Sequence, residues 1–135
     1  MKPASARQIP GIGPLVSTAT VAAIGNGAAF NKGREFAAWL GLVPRQHSTG
    51  GHAKLYGISK RGNIYLRRMF IHGARAVLLR VKNKTVSFGP WVHQLELRAP
   101  RNKVIVAIAN KLARIAWAVL SKQMDYRPTP VVATA

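Results

Sequence analysis

Apolar positions recur with a helical period in two long stretches of the chain and lose it between them. From about residue 63 to 81, Leu66, Phe70, Gly73 and Val77 step by four, three and four, which is one face of a helix. From about 101 to 122, Val104, Ile108, Leu112, Ile115 and Val119 repeat that pattern behind Pro100, a residue suited to a helix start. Two shorter helices precede them. Pro14 follows the turn Gly11-Ile12-Gly13 and opens a helix that runs to Ile24 and stops at Gly25-Asn26-Gly27. Asn31 caps the next, which turns Phe36, Ala37, Trp39 and Leu40 inward. A further short helix, 87–98, carries Trp91 and Leu95.

Between Gly41 and Gly62 the pattern changes to a long loop, punctuated by Pro44 and by Gly50, Gly51, Gly57 and Gly62, with a short hairpin around Ala53–Tyr56. Loops of this length inside a compact domain are usually functional or disordered. No internal repeat or parallel-sheet pattern is present, so the fold reads as mainly α: a helix-hairpin-helix-like helical domain with a long, glycine-rich, basic loop. Residues 1–8 read as a lead-in, 9–123 as the domain and 124–135 as a disordered tail.

Charge narrows the function. The chain has 135 residues and 21 Lys and Arg against three acids, Glu35, Glu96 and Asp125, for a net charge of +18. Such a surplus repels itself unless a polyanion neutralises it, and DNA or RNA is the natural candidate. An anionic membrane is the alternative, but Asn110, Lys111 and Arg114 interrupt the most apolar stretch and make it an amphipathic helix instead of a membrane span. The chain contains no cysteine, hence no disulfide and no thiolate metal site. Three scattered acids do not make a cluster for Mg²⁺ either. A cytoplasmic location is expected, because the N-terminus lacks a signal-peptide apolar run.

Charge also has a direction on one helix. Arg61, Arg68, Arg75 and Lys82 step by seven, so they form a cationic stripe roughly opposite the apolar face.

Two constellations can carry chemistry. Ile9-Pro10-Gly11-Ile12-Gly13-Pro14 is an apolar–glycine turn opening a helix, where Gly11, Ile12 and Gly13 present backbone N–H groups to a phosphate. It is the hairpin half of a helix-hairpin-helix; the other reading is an ordinary helix start. The second runs from Arg45 to Arg68. It combines hydroxyls (Ser48, Thr49, Ser59), glycines (Gly50, Gly51) and cations or amides (Arg45, Lys54, Lys60, Arg61, Asn63, Arg67, Arg68). Read from chemistry alone it is a phosphate-binding loop first. It is a nucleophile-bearing loop second, with Ser48 attacking a phosphodiester while guanidinium groups stabilise the charge. His47 and His52 flank the serine and either could act as a base, whereas their spacing does not suit zinc. His72 and His93 read as structural, and Trp39, Trp91 and Trp117 as core packing.

The stretches GLVPRQHSTGG, GISKRGNIYLRR and IHGARAVL, together with IPGIGP and FAAWLGLVPRQ, resemble the C-terminal domain of insertion-sequence 110/116/902 transposases, nearest the 1111 subgroup. The resemblance covers about nine-tenths of the chain. It implies a serine nucleophile at Ser48, with Thr49 as the alternative, and a DNA-positioning motif at Ser59, Lys60, Arg61, Gly62 and Asn63. It also implies a separate N-terminal acidic domain holding Mg²⁺, so no cofactor is expected in this chain. Implied partners are DNA (element ends and target), a guide RNA and further copies in a homo-oligomer, in a nucleoid-associated bacterial setting. With that acidic domain absent, the chain reads as truncated and inactive alone. The competing functions are a non-catalytic helix-hairpin-helix DNA-binding module and an RNA-binding or ribosome-associated basic protein.

Overall fold

The computed structural model describes residues 9–42, 46–47, 54–55, 63–80 and 89–122. Among them are five helices: α1 (Pro14–Ile24), α2 (Gly33–Trp39), α3 (Ile64–Arg80), α4 (Gly89–Glu96) and α5 (Arg101–Lys122). Two two-residue strands, β1 (Gln46–His47) and β2 (Lys54–Leu55), pair antiparallel. The fold is mainly α, as the periodicity required. The lead-in and tail lie outside the described residues.

The centre of the domain is the pair α3 and α5, with α2 and α4 against α5 and α1 against α3. On α3 the buried face is Leu66, Met69, Phe70, Gly73, Ala74, Val77 and Leu78. On α5 it is wider: Val104, Ile105, Ile108, Ala109, Leu112, Ala113, Ala116, Val119 and Leu120. Three helices lean on α5, which explains the width, and its small alanines let them approach closely. Ile115, expected on that face, is only half-buried. By length and composition α5 could cross a membrane. Its nine buried residues make it the core helix of this fold.

Aromatic rings close the α2 end of the core. Phe36 lies 5.6 Å from Phe30 and meets Phe70 of α3 edge-on at 6.1 Å, while Phe30 and Trp39 stand 5.7 Å apart. The three tryptophans pack against the core half-buried. Trp117 also donates its indole N–H to the Gly27 carbonyl at 3.1 Å, tying α5 to the α1–α2 connection.

Several expectations change in detail. The N-cap of α2 is Lys32, without a side-chain cap, and not Asn31. Instead Glu35, in the first turn, accepts the Asn31 backbone N–H at 2.8 Å. One of the chain's few acids therefore starts a helix, where a negative charge also suits the dipole. The strand pairing is wider than a hairpin around Ala53–Tyr56, because β2 pairs with β1, with Gln46 opposite Leu55 and His47 opposite Lys54. His72 and His93 are exposed, so neither serves the core.

Candidate nucleic-acid interface

The long loop springs from two fixed posts. At its start, α2 ends in a Schellman motif: Leu42 N–H reaches Ala37 O at 3.0 Å and Gly41 N–H reaches Ala38 O at 2.9 Å. Gly41 sits at φ 79°, a conformation that glycine adopts without strain. Leu42 is then fully buried, and its carbonyl accepts Asn110 Nδ2 of α5 at 3.2 Å. At the loop's end, Asn63 caps α3 through Oδ1, which accepts Leu66 N–H at 3.0 Å. Asn63, assigned to DNA from sequence, thus has a structural task. Between the posts, β1 and β2 bracket residues 48–53. Ser48, Thr49, Gly50 and Gly51, and likewise Arg45, Ser59, Lys60 and Arg61, lie outside the described residues; Lys54 is on β2.

The glycine turn is built differently from a free phosphate cradle. Ile12 N–H closes it onto Ile9 O at 3.0 Å, and both isoleucines are buried. Gly11, at φ 82°, crosses α3 at Gly73: a Cβ on Gly11 would lie 2.6 Å from the Gly73 carbonyl oxygen and 2.8 Å from Val77 Cγ2. Gly11 is therefore explained by packing. Gly13 is not, since a Cβ there would meet open space and its φ of −92° suits any residue. Gly13 is the N-cap of α1, Pro14 contributes no N–H, and the first intrahelical bond is Ser17 N–H to Gly13 O at 3.0 Å. The N–H groups of Gly13, Leu15 and Val16 precede that bond, and no acid occupies the first turn. That end of α1 keeps its positive character. A full helix-hairpin-helix needs a helix before Ile9, and residues 1–8 lie outside the described residues.

On α3, Arg68 and Arg75 are exposed on the side turned from the core, and Arg67 is half-buried at the flank of the buried face. The cationic stripe is real over these two positions; Arg61 and Lys82 lie outside the described residues.

A second cationic feature joins residues far apart in sequence. Lys32, Gly33 and Arg34 of α2 face Lys111, Arg114, Ile115, Trp117 and Ala118 of α5 across an open cleft of about 450 Å³. Gly33 lets the helices close up, since a Cβ there would sit 3.1 Å from Arg114 O. Lys111 Nζ stands 4.7 Å over the Trp91 ring, a cation–π arrangement. Burial, and then the Arg114 charge beside it, hold the Lys111 ammonium below the usual lysine value of 10.5. Sequence reasoning treated Lys111 and Arg114 as interruptions of an apolar helix, with Arg114 and Lys103 on the side away from its apolar face. The available signal was their i, i+3 spacing, and nothing in the pattern said which helix would face them.

The family profile "Transposase IS116/IS110/IS902 family" matches residues 4–88. The chain is 55% identical over 120 residues to a Pseudomonas aeruginosa protein named as a probable family 20 transposase, covering 89% of this chain and 36% of that protein. It is 48% identical over 121 residues to the transposase for insertion sequence element IS1111A of Coxiella burnetii, covering 90% of this chain and 33% of the relative. A more distant relative is a pilin gene-inverting protein of Moraxella bovis, 30% identical over 120 residues, covering 87% of this chain and 36% of that protein. The chain thus spans about a third of the length of the curated relatives it matches.

Proposed function

Because the chain belongs to the IS116/IS110/IS902 transposase family, we propose that it is the DNA-binding, serine-bearing C-terminal part of a transposase acting in DNA transposition. The observation that carries this reading is the juxtaposition of the two posts with the cations. The loop bearing Ser48 leaves α2 at a buried Leu42 and re-enters at capped Asn63, and α3 then displays Arg67, Arg68 and Arg75. A reactive loop held at both ends beside a cationic helix suits phosphodiester chemistry.

In the proposed step, Ser48 Oγ attacks a DNA phosphorus and loses its proton to a base, for which His47 and His52 are candidates. The new bond is P–Oγ; the bond that breaks is P–O3′, and the released 3′ oxygen takes up a proton. The 5′-phosphoserine conserves the ester, so rejoining needs no nucleotide cofactor. Arg45, Lys54, Lys60, Arg61, Arg67 and Arg68 hold the phosphates, with Gly50, Gly51 and Ser59 allowing close approach. Thr49 is the alternative nucleophile. At the other end, the N–H groups around Gly13, at the positive end of α1, grip the DNA backbone in helix-hairpin-helix fashion, beside Gly11 and Ile12.

On this reading Mg²⁺ is not held by the described residues of this chain. Glu35 starts α2, Glu96 ends α4, and among the described residues no three metal-ligating side chains gather. The metal is assigned to an acidic region outside these 135 residues, which, tested by themselves, are expected to bind DNA without recombining it. Element ends and target DNA, a structured guide RNA and further copies of the chain complete the assembly, in the cytoplasm at the nucleoid.

The test joins this chain to a relative's N-terminal region, adds element-end DNA, RNA and Mg²⁺, and maps any protein–DNA adduct by mass spectrometry. An adduct on Ser48 is expected, and Ser48→Ala removes it while DNA affinity stays. No adduct, with tight binding intact, selects the non-catalytic helix-hairpin-helix module instead.

A further inference from the structure

We propose that the cleft between α2 and α5 is a second backbone-phosphate site for duplex DNA, separate from the serine loop and the glycine turn. The inference rests on the DNA-binding reading above and adds residues to it: Lys32, Arg34, Lys111 and Arg114.

Convergence is the first argument. The four cations come from the start of α2 and from α5 and meet at one concave surface of about 450 Å³, with no acid among its described lining residues. The acid nearest in sequence, Glu35, is turned to the Asn31 N–H at 2.8 Å. Like charges gathered at one surface raise the local potential, which an anion relieves. Lys111 records this crowding, since its ammonium is disfavoured by burial and by Arg114. Shape is the second argument. Ile115, Trp117 and Ala118 give the cleft an apolar floor beneath a cationic rim. A sugar–phosphate strand has that pattern of uncharged sugar and charged phosphate, and such contacts position duplex DNA without reading its sequence.

Placement is the third. Asn110, which holds the loop's root at Leu42, is followed directly by Lys111 and one turn later by Arg114. The root of the serine loop at Leu42 therefore lies within about one helical turn of the cleft, some 5 Å along α5. A membrane fits less well. Among the described residues the large exposed apolar ones, Leu15, Ile64, Tyr65, Leu79 and Leu97, all lie outside α2 and α5, so the cleft's described lining lacks the apolar anchors of a bilayer-docking face.

Arg34 and Arg114 are exposed, so their replacement leaves the core intact. The experiment measures affinity for a labelled duplex by fluorescence anisotropy across a salt series, with circular dichroism as the folding check. It compares the full chain, R34Q/R114Q, the charge-keeping R34K/R114K, and R98Q/K103Q. The last pair removes two exposed cations outside the cleft. Loss of two phosphate contacts should flatten the slope of log K against log salt by about 1.8 and weaken binding roughly 60-fold at 0.1 M salt. R34K/R114K should keep the slope, and R98Q/K103Q should change it much less.

Equal losses in R34Q/R114Q and R98Q/K103Q would reduce the cleft to bulk charge and overturn the proposal. A loss confined to a structured RNA probe, with duplex affinity unchanged, would overturn it as a DNA site. If the unaltered chain binds duplex weakly and with a shallow slope, the DNA-binding reading falls and the cleft falls with it. Steep binding that survives R34Q/R114Q removes the cleft alone.

Discussion

The two cationic regions of this domain are made in different ways. The α3 stripe is a property of one helix: Arg68 and Arg75 are seven residues apart, and the same helix buries Leu66, Phe70, Gly73 and Val77 on its other side. The cleft is a property of packing. Lys32 and Arg34 meet Lys111 and Arg114 only because Gly33 lets α2 settle against α5 and Trp117 hooks the α1–α2 connection at Gly27. A periodic stripe survives any arrangement of the other helices. A convergent cleft exists only in the native one. Loosening the fold should therefore affect the two regions unequally, while neutralising charge should affect them alike.

The largest effect tests that equality. R68Q/R75Q on α3 should weaken duplex binding about as much as R34Q/R114Q, roughly 60-fold at 0.1 M salt. Combining the four changes should flatten the salt slope by about 3.6 and weaken binding some thousands-fold, if both regions hold one duplex. A combined variant no weaker than either pair would mean that the two regions serve alternative DNA placements. The readout is again anisotropy over a salt series.

Next in size are the two glycine crossings that set the regions. Gly73→Ala drives a methyl into the Gly11 carbonyl oxygen, a backbone atom that cannot swing aside. Overpacking of this kind costs about 1–3 kcal/mol, offset in part by the roughly 1 kcal/mol that alanine gains over glycine in a helix. Gly33→Ala meets Arg114 O at 3.1 Å and the Trp117 ring at 3.3 Å, tight contacts that a small shift relieves. Urea unfolding should show the larger loss for Gly73→Ala. Gly33→Ala should instead weaken DNA binding at nearly unchanged stability, because the small shift opens the cleft. A smaller change, Asn63→Ala, should cost about 1 kcal/mol through the lost cap. If its DNA affinity also falls at full folding, Asn63 contacts DNA as well as capping α3.

Legibility from sequence followed the same division. α1 and α5 were readable to the residue, since Pro14 and Gly25 punctuate one and Pro100 precedes the other. The α3 face was readable because period and burial agree. Asn31 misled because Asn is a common cap; the chain used Lys32 and let Glu35 reach back to the Asn31 N–H. Gly11 suggested a phosphate cradle, and its steric reason lay 62 positions away at Gly73. The cleft was out of reach for the same reason: nothing local tells Lys32 that it will face Arg114. In the serine loop, the posts at Leu42 and Asn63 are visible in structure, while Ser48 itself rests on motif and family.

The finest test asks whether the cleft already stores repulsion before any DNA arrives. Lys111 is held below the ordinary lysine value of 10.5, first by burial and second by Arg114. The protonated form is thus disfavoured by the fold, and the native state binds fewer protons than the unfolded state between the two pKa values. Stability from this group therefore rises as pH climbs through the folded value towards 10.5, the reverse of a lysine that gains a carboxylate partner. A bound phosphate works in the opposite direction, favouring the ammonium and raising the pKa. A ¹³C-NMR titration of the Lys111 Cε should show three ordered values: lowest in the free chain, higher in Arg114→Gln, and higher again in the free chain once duplex is added. Arg114→Gln alone should not restore the ordinary value, because burial, the larger cause, remains. A Lys111 value that ignores duplex while binding is saturated would place the phosphates elsewhere. The α3 stripe would then be the domain's main cationic grip, and the cleft a by-product of packing.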